Sequence, residues 1–140
     1  MAVHVLTVLG FKEGDRVTSK LLAMSVNTNP VIIRRLLLTL KRAKLIETGK
    51  GAGSGSRLSR SPARINLAQV YRAVENSEPF APPSTKPNPA CPVGNCIRRA
   101  LNQVFASAEA ALENDLAKTT LSSVLETVKA SCSHSSRHGR

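Results

Sequence analysis

Six of the eight prolines in this chain of 140 residues fall between residues 77 and 95. Proline inside a helix removes a hydrogen bond and clashes one turn back, and a central strand cannot hold it either. The stretch therefore reads as an extended, Pro-rich linker, assigned to residues 77–96. It divides the chain into a first unit, residues 1–76, and a separate element beyond. A unit of roughly 75 residues can fold alone but has little apolar surface to spare.

Charge follows the same division. Residues 1–76 hold 13 Lys/Arg against 4 Asp/Glu, whereas residues 77–140 hold 7 against 5. The window 34–64 carries nine basic residues and a single acid, Glu47. Such a density points to a polyanion-binding surface. Aromatics are only 3% (Phe11, Phe80, Phe105 and Tyr71), so the core must be aliphatic and the stacking platforms of single-strand binders are nearly absent. No apolar run reaches the roughly 18 residues of a membrane helix. The run Ala2–Leu9 also lacks the basic leader and cleavage site of a signal peptide. Three cysteines do not make a disulfide scaffold, so a reducing cytoplasm is expected.

Local signals in the first unit are ordered. An apolar helix over 2–11 is followed by a glycine turn. Thr18 or Ser19 then caps a short helix through about Met24, with Leu21 and Leu22 expected inside. After the polar turn 25–28, Asn29 can cap and Pro30 can open a helix running to about Lys44. Ile33, Leu36, Leu37 and Leu40 repeat at i, i+3, i+4, i+7 and face a core, which leaves Val31, Arg34, Arg35, Leu38 and Arg42 on another face. A short helix, a tight turn and a basic second helix are in helix-turn-helix order. Residues 45–48, the glycine-rich tip 49–56 and residues 57–59 then form a β-hairpin, which makes the unit a winged helix. The glycine run matches neither the Walker nor the Rossmann spacing, so it is read as a wing that lets a phosphate backbone approach closely.

Asn66 caps a further helix to about Asn76, with Leu67, Val70, Tyr71 and Val74 inward. Beyond the linker, a helix from Ile97 to about Lys118 aligns Ile97, Leu101, Val104, Phe105, Ala108, Ala111 and Leu112 on one stripe. A winged helix already fills its own core, so this stripe is expected to pair with a second chain. Thr119 or Thr120 starts a last helix to about Lys129. Residues 97–130 are thus taken as dimerisation helices and 131–140 as a flexible tail. The fold class expected is mainly α with a small β-hairpin wing, a winged helix-turn-helix plus a long dimerisation helix.

Cys91 and Cys96 have four residues between them, a spacing that fits neither a zinc ribbon nor a thioredoxin motif. They are candidates for a thiol switch: Cys96 lies near the start of the long helix, where the dipole and Arg98 and Arg99 favour a thiolate. Cys132, His134 and His138 sit in the polar tail, and no metal site is expected there. No paired carboxylates or nucleophile–base set sits on an ordered frame, so no enzyme activity is expected.

The ordered set Arg16-Val17-Thr18-Ser19, Asn29 to Leu37, Lys41 to Ile46, the glycine wing ending Arg57-Leu58-Ser59, and Tyr71 to Glu75 resembles the Rrf-two family of bacterial winged-helix regulators, relatives of IscR, NsrR and CymR. Cys91-Pro92-Val93-Gly94 and Ala117 to Leu121 are similar to its YwnA-like branch. The likeness spans residues 2–128. It implies a homodimer with two winged helices on successive turns of a double-stranded operator. Carried over by position, Thr18 and Ser19 meet phosphate; Thr28, Asn29, Val31, Arg34 and Arg35 lie on the recognition helix; Lys50 through Arg57 form the wing. The family's iron–sulfur members carry three closely spaced cysteines before the dimer helix. Only Cys91 and Cys96 stand there, so no iron–sulfur cofactor is expected. The chain also departs from the family pattern in a late start to its first helix and in Lys44, Ser54 and Ser56, which replace two glycines and an aromatic.

The function that follows is a sequence-specific transcription regulator, a repressor, acting in the cytoplasm on the nucleoid and responsive to thiol redox. Two alternatives stay open: a nonspecific architectural DNA-binding protein, and a redox or metal sensor acting through protein partners.

Overall fold

The computed structural model describes residues 1–75 and 86–135, with side chains to Ser133. Its elements are helices α1 (Ala2–Phe11), α2 (Ser19–Val26) and α3 (Pro30–Arg42), strands β1 (Ile46–Thr48) and β2 (Ser56–Leu58), then helices α4 (Leu67–Val74), α5 (Pro92–Ala117) and α6 (Leu121–Ser135). A 3₁₀ turn, Pro62–Arg64, leads into α4.

Local chemistry fixes the helix starts. Thr18 Oγ1 accepts from the Leu21 N–H at 3.3 Å, and Asn29 Oδ1 accepts from the Val31 N–H at 2.8 Å. Each satisfies one of the donors that the first helical turn leaves over. Asn66 and Gln69 close a reciprocal capping box at the start of α4. Between α2 and α3, Asn27 adopts φ 56°, and the Thr28 N–H returns to the Ala23 carbonyl at 2.9 Å. That left-handed stop turns the chain sharply into α3.

The hairpin pairs Ile46 with Leu58, Glu47 with Arg57 and Thr48 with Ser56, antiparallel. Its tip is Gly49 to Gly55. A third backbone segment joins it: Val17 and Ser56 exchange N–H···O bonds at 2.8 Å in both directions. Where the family pattern has an aromatic anchor, Ser56 is buried and bound through its backbone to the residue just before α2.

The core is aliphatic, as composition requires. Val5, Leu6 and Leu9 of α1 meet Leu22, Ile33, Leu37, Leu40, Leu45, Ile46, Ile65 and Val70, and Leu36 packs against them half-buried. Leu21 departs from expectation. It is 53% exposed, because an eight-residue helix can turn only one of two adjacent leucines inward, and Leu22 takes the place. On α4, Val70 and Ala68 are buried while Leu67, Tyr71 and Val74 are half-buried.

Three features beyond the hairpin also differ. The long helix begins at Pro92 rather than Ile97, so residues 92–96 of the expected linker are helical. Proline at the first helical position loses no intrahelical bond. The last helix runs to Ser135, past Lys129, so residues 131–135 belong to it rather than to a tail. Residues 76–85 and 136–140, where the rest of the linker and tail were expected, lie outside the described residues.

The third difference concerns partners. The sequence reading places helix α6 among the dimerisation helices, yet Leu121 is fully buried and Leu125 nearly so, within the core of the first unit. The Leu121 N–H donates to the Ile65 carbonyl at 2.8 Å, and the Leu67 N–H to the Thr119 carbonyl at 2.9 Å. Gly10 of α1 makes the approach possible: a Cβ there would fall 2.7 Å from Leu125 Cδ1. Helix α5, by contrast, buries none of its residues fully, and Ile97, Leu101, Val104 and Leu112 are exposed along it.

Candidate nucleic-acid interface

The capped starts of α2 and α3 and the bridge from Val17 to the wing place three segments around one open groove of about 360 Å³. Thr18 and Ser19 stand at one end. Arg34, Leu37, Leu38 and Lys41 form the wall contributed by α3, and the wing supplies Thr48, Gly49, Gly51 and Gly53 to Ser56. Thr18, Ser19 and Arg34, expected as DNA-contacting residues from the sequence, thus share this groove. Lys41 was not among the expected contacts. It follows Arg34 by seven residues and so falls on the same side of the helix, a spacing already present in the sequence.

Other expected residues lie nearby with different surroundings. Val31 and Arg35 are exposed on α3, on the side turned away from Ile33 and Leu40. The side chain of Asn29 serves as the α3 cap, and Thr28 is half-buried in the turn before it. Lys50 is exposed on the wing beside Gly51, whose φ of 91° favours glycine. Arg57 lies across the hairpin on Glu47: its Nε and Nη2 donate to one carboxylate oxygen at 3.2 and 3.1 Å. The single acid of the basic window is therefore held by an arginine. Arg34, Arg35, Lys41 and Arg42 make no ion pair among the described residues. Unpaired cations on a groove wall of small side chains provide an electrostatic and steric fit to a phosphate backbone.

The wing root is held tightly. Gly55 adopts φ 73°, and a Cβ on it would meet the Val17 backbone at 3.0 Å. Only glycine suits both demands. Gly49 is required for a different reason: a Cβ there would fall 2.6 Å from Ser54 Cβ and 3.2 Å from Arg16 Nη1.

Helix α5 leaves the unit through α4. Arg72 donates from Nε and Nη2 to Glu113 Oε2 at 2.8 and 2.7 Å. This hydrogen bond, and then the charge of Glu113, raises the Arg72 pKa and holds its guanidinium charged. Tyr71, one turn of sequence away from Glu75, has its phenol pushed above the ordinary 10.0 by partial burial, and further by Glu75, Glu109 and Glu113. Along the outer side of α5, Ile97, Leu101, Val104 and Leu112 are exposed. Cys91 caps the helix and Cys96 lies in its second turn, both exposed; Cys132 is exposed on α6.

A family model described as Rrf2, iron-dependent transcriptional regulator, matches residues 1–127. The chain belongs to the Rrf2 family of transcriptional regulators. The HTH-type transcriptional regulator YwnA of Bacillus subtilis (strain 168) is 40% identical over 125 residues, covering 89% of this chain and 92% of that one. A crystal structure described as a DNA-binding protein superposes with a TM-score of 0.70 at 38% identity, over 89% of this chain and 95% of its own. IscR of T. potens has the same fold, with a TM-score of 0.65 at 22% identity over 91% and 82%. These likenesses make this Rrf2 member a helix-turn-helix regulator with a two-stranded wing.

The iron in the family description asks for ligands. Among the described residues no three His, Cys, Asp or Glu side chains converge on a point that could hold a metal ion. The two thiols of the family's cysteine region are five positions apart on one helix end, and the third cysteine is on α6. This donor set does not fit an iron or iron–sulfur centre, whose first requirement is three or four convergent ligands. No helix among the described residues is long and apolar enough to cross a membrane.

Proposed function

We propose that this Rrf2 member is a homodimeric, sequence-specific repressor that occupies a two-fold related operator in the cytoplasm and has no catalytic activity. The observation that carries the reading is the groove in which unpaired Arg34 and Lys41 of α3 face a glycine-rich wing. Helix α3 enters the major groove, where Arg34 or Arg35 can read guanine through paired hydrogen bonds and Val31 can meet a thymine methyl. Thr18, Ser19 and Lys50 take phosphates. The stripe Ile97, Leu101, Val104 and Leu112 pairs with its copy in a second chain, setting two recognition helices about one DNA turn apart. Occupancy blocks transcription by exclusion.

The regulator works without a resident iron centre, and its signal reaches α5 through the thiols at its start. Cys91 occupies the N-cap position of that helix without a side-chain capping bond, so an oxidised thiol would add bulk and charge at the start of the element that joins the two protomers. An architectural, nonspecific role would use the same charge but would leave the outward side of α3 without a task.

Fluorescence anisotropy on the upstream DNA of its own gene and on a shuffled copy, across a salt series, tests this. Preference for the native sequence that survives rising salt, lost in Arg34→Ala/Arg35→Ala while the dimer persists, is the expected result. Weakening on oxidation, abolished in Cys91→Ser or Cys96→Ser, would support the thiol signal. Equal, salt-steep binding to both duplexes would favour the architectural role.

A further inference from the structure

We propose that Arg16 is a phosphate-contacting residue at the root of the wing, and that this chain's third wing segment exists in part to deliver it there. The proposal rests on the DNA-binding reading of the groove and adds to it a residue outside the groove wall.

Three observations converge. First, Val17 is clamped to Ser56 by two backbone hydrogen bonds of 2.8 Å, so its neighbour Arg16 is carried against the hairpin rather than left in a loose turn. Second, the guanidinium lies over bare backbone. Arg16 Nη1 is 3.2 Å from where a Cβ on Gly49 would stand, and Ser54 fills the other side of the same space. Gly49 does not have a positive φ; its lack of a side chain leaves room that Ser54 fills most tightly, at 2.6 Å, with the Arg16 guanidinium beside it. Third, Arg16 is exposed and makes no ion pair among the described residues, although Asp15 adjoins it and Glu13 is close in sequence.

An arginine held over a glycine, with its charge uncompensated, differs from Arg57, whose charge is occupied by Glu47. Gly49 and Ser54 also line the groove, and Thr18 and Ser19 follow Arg16 directly in the chain. The fork of donors therefore stands beside Gly49 at the wing root, on the residue two positions before the α2 cap. Guanidinium donors suit phosphate oxygens, and the contact is blind to sequence. Any duplex will therefore report it.

The test uses the full chain and a mixed-sequence duplex of roughly 30 base pairs, long enough for two half-sites a turn apart. Binding is measured from about 50 to 300 mM salt for the wild type, Arg16→Ala and Arg16→Lys. Neutralising one phosphate contributes about 0.9 to the slope of log K against log salt. The expected result for Arg16→Ala is a slope smaller by about one per protomer and an affinity about tenfold lower at low salt. Lysine should restore the slope. An unchanged slope in Arg16→Ala, beside a steep wild type, overturns the assignment and leaves the DNA-binding reading standing. A loss that lysine does not restore makes Arg16 a packing residue of the wing and also overturns it. A wild type that binds no duplex overturns the DNA-binding reading, and this proposal with it.

Discussion

Lys44 shows how one residue sets the position of the wing. It adopts φ 59° at the exit of α3, where the family pattern has glycine. Its carbonyl accepts from Ser59 Oγ at 2.6 Å and from Arg60 Nη2 at 3.0 Å, so the turn is locked to the residues that follow β2 at the base of the hairpin. A side chain in the left-handed region costs about 1–2 kcal/mol, part of which glycine would return through its freer unfolded state. Lys44→Gly should therefore raise stability by up to about 1 kcal/mol with the wing unchanged, read from urea denaturation. Loss of stability would mean that the lysine stem packs more usefully than its exposure suggests. Residue chemistry of this local kind was legible in advance: Thr18, Asn29 and Asn66 cap where a short polar side chain precedes an apolar run. Arg16 was not legible as a wing residue, because its place depends on a pairing between residues 17 and 56 that no local pattern encodes.

At the scale of elements, α5 and α6 divide the labour that their sequences appear to share. Both carry apolar positions at helical spacing, and periodicity alone does not say what covers them. Leu121 of α6 is fully buried against α1 and the 3₁₀ turn, whereas Leu101 and Leu112 of α5 are each 40% exposed. Leu121→Ala should cost about 2–5 kcal/mol of stability by leaving a cavity. Leu101→Asp/Leu112→Asp should leave the helical spectrum intact and convert dimer to monomer in sedimentation. A dimer that survives the double change would remove α5 from the interface. The start of α5 is ambiguous in the sequence for a definable reason: Pro92 ends a proline-rich run, yet proline is also a good first residue of a helix.

The joint between α4 and α5 has its own signature. Tyr71 is the chain's one tyrosine, and there is no tryptophan, so phenolate absorbance reports this contact alone. Its folded pKa is raised, so the stability it contributes is full below the ordinary value of 10.0 and is lost as pH rises through the folded value. Absorbance titration should give a midpoint above that of the unfolded chain, and Glu113→Gln should lower it. An unshifted midpoint would mean that burial and the carboxylates do not act on the phenol as described.

Over the whole molecule, fold and charge agree. Within the basic window of residues 34–64, Arg34 and Lys41 line the groove between α3 and the wing, while Arg57, which holds the single acid, and Arg60 line a separate pocket beside α1. An aliphatic core, tied by α6, makes a rigid platform that α5 can carry into a symmetric pair. Symmetry of the proposed dimer should then appear in the DNA, because two copies of one helix would read two copies of one half-site. Selection from a random-sequence duplex pool with the full-length protein, followed by sequencing of the retained molecules, tests this most directly. Enrichment of a two-fold related motif with half-sites about one turn apart is the expected result. A retained pool without sequence bias, or with a single unpaired half-site, would contradict it.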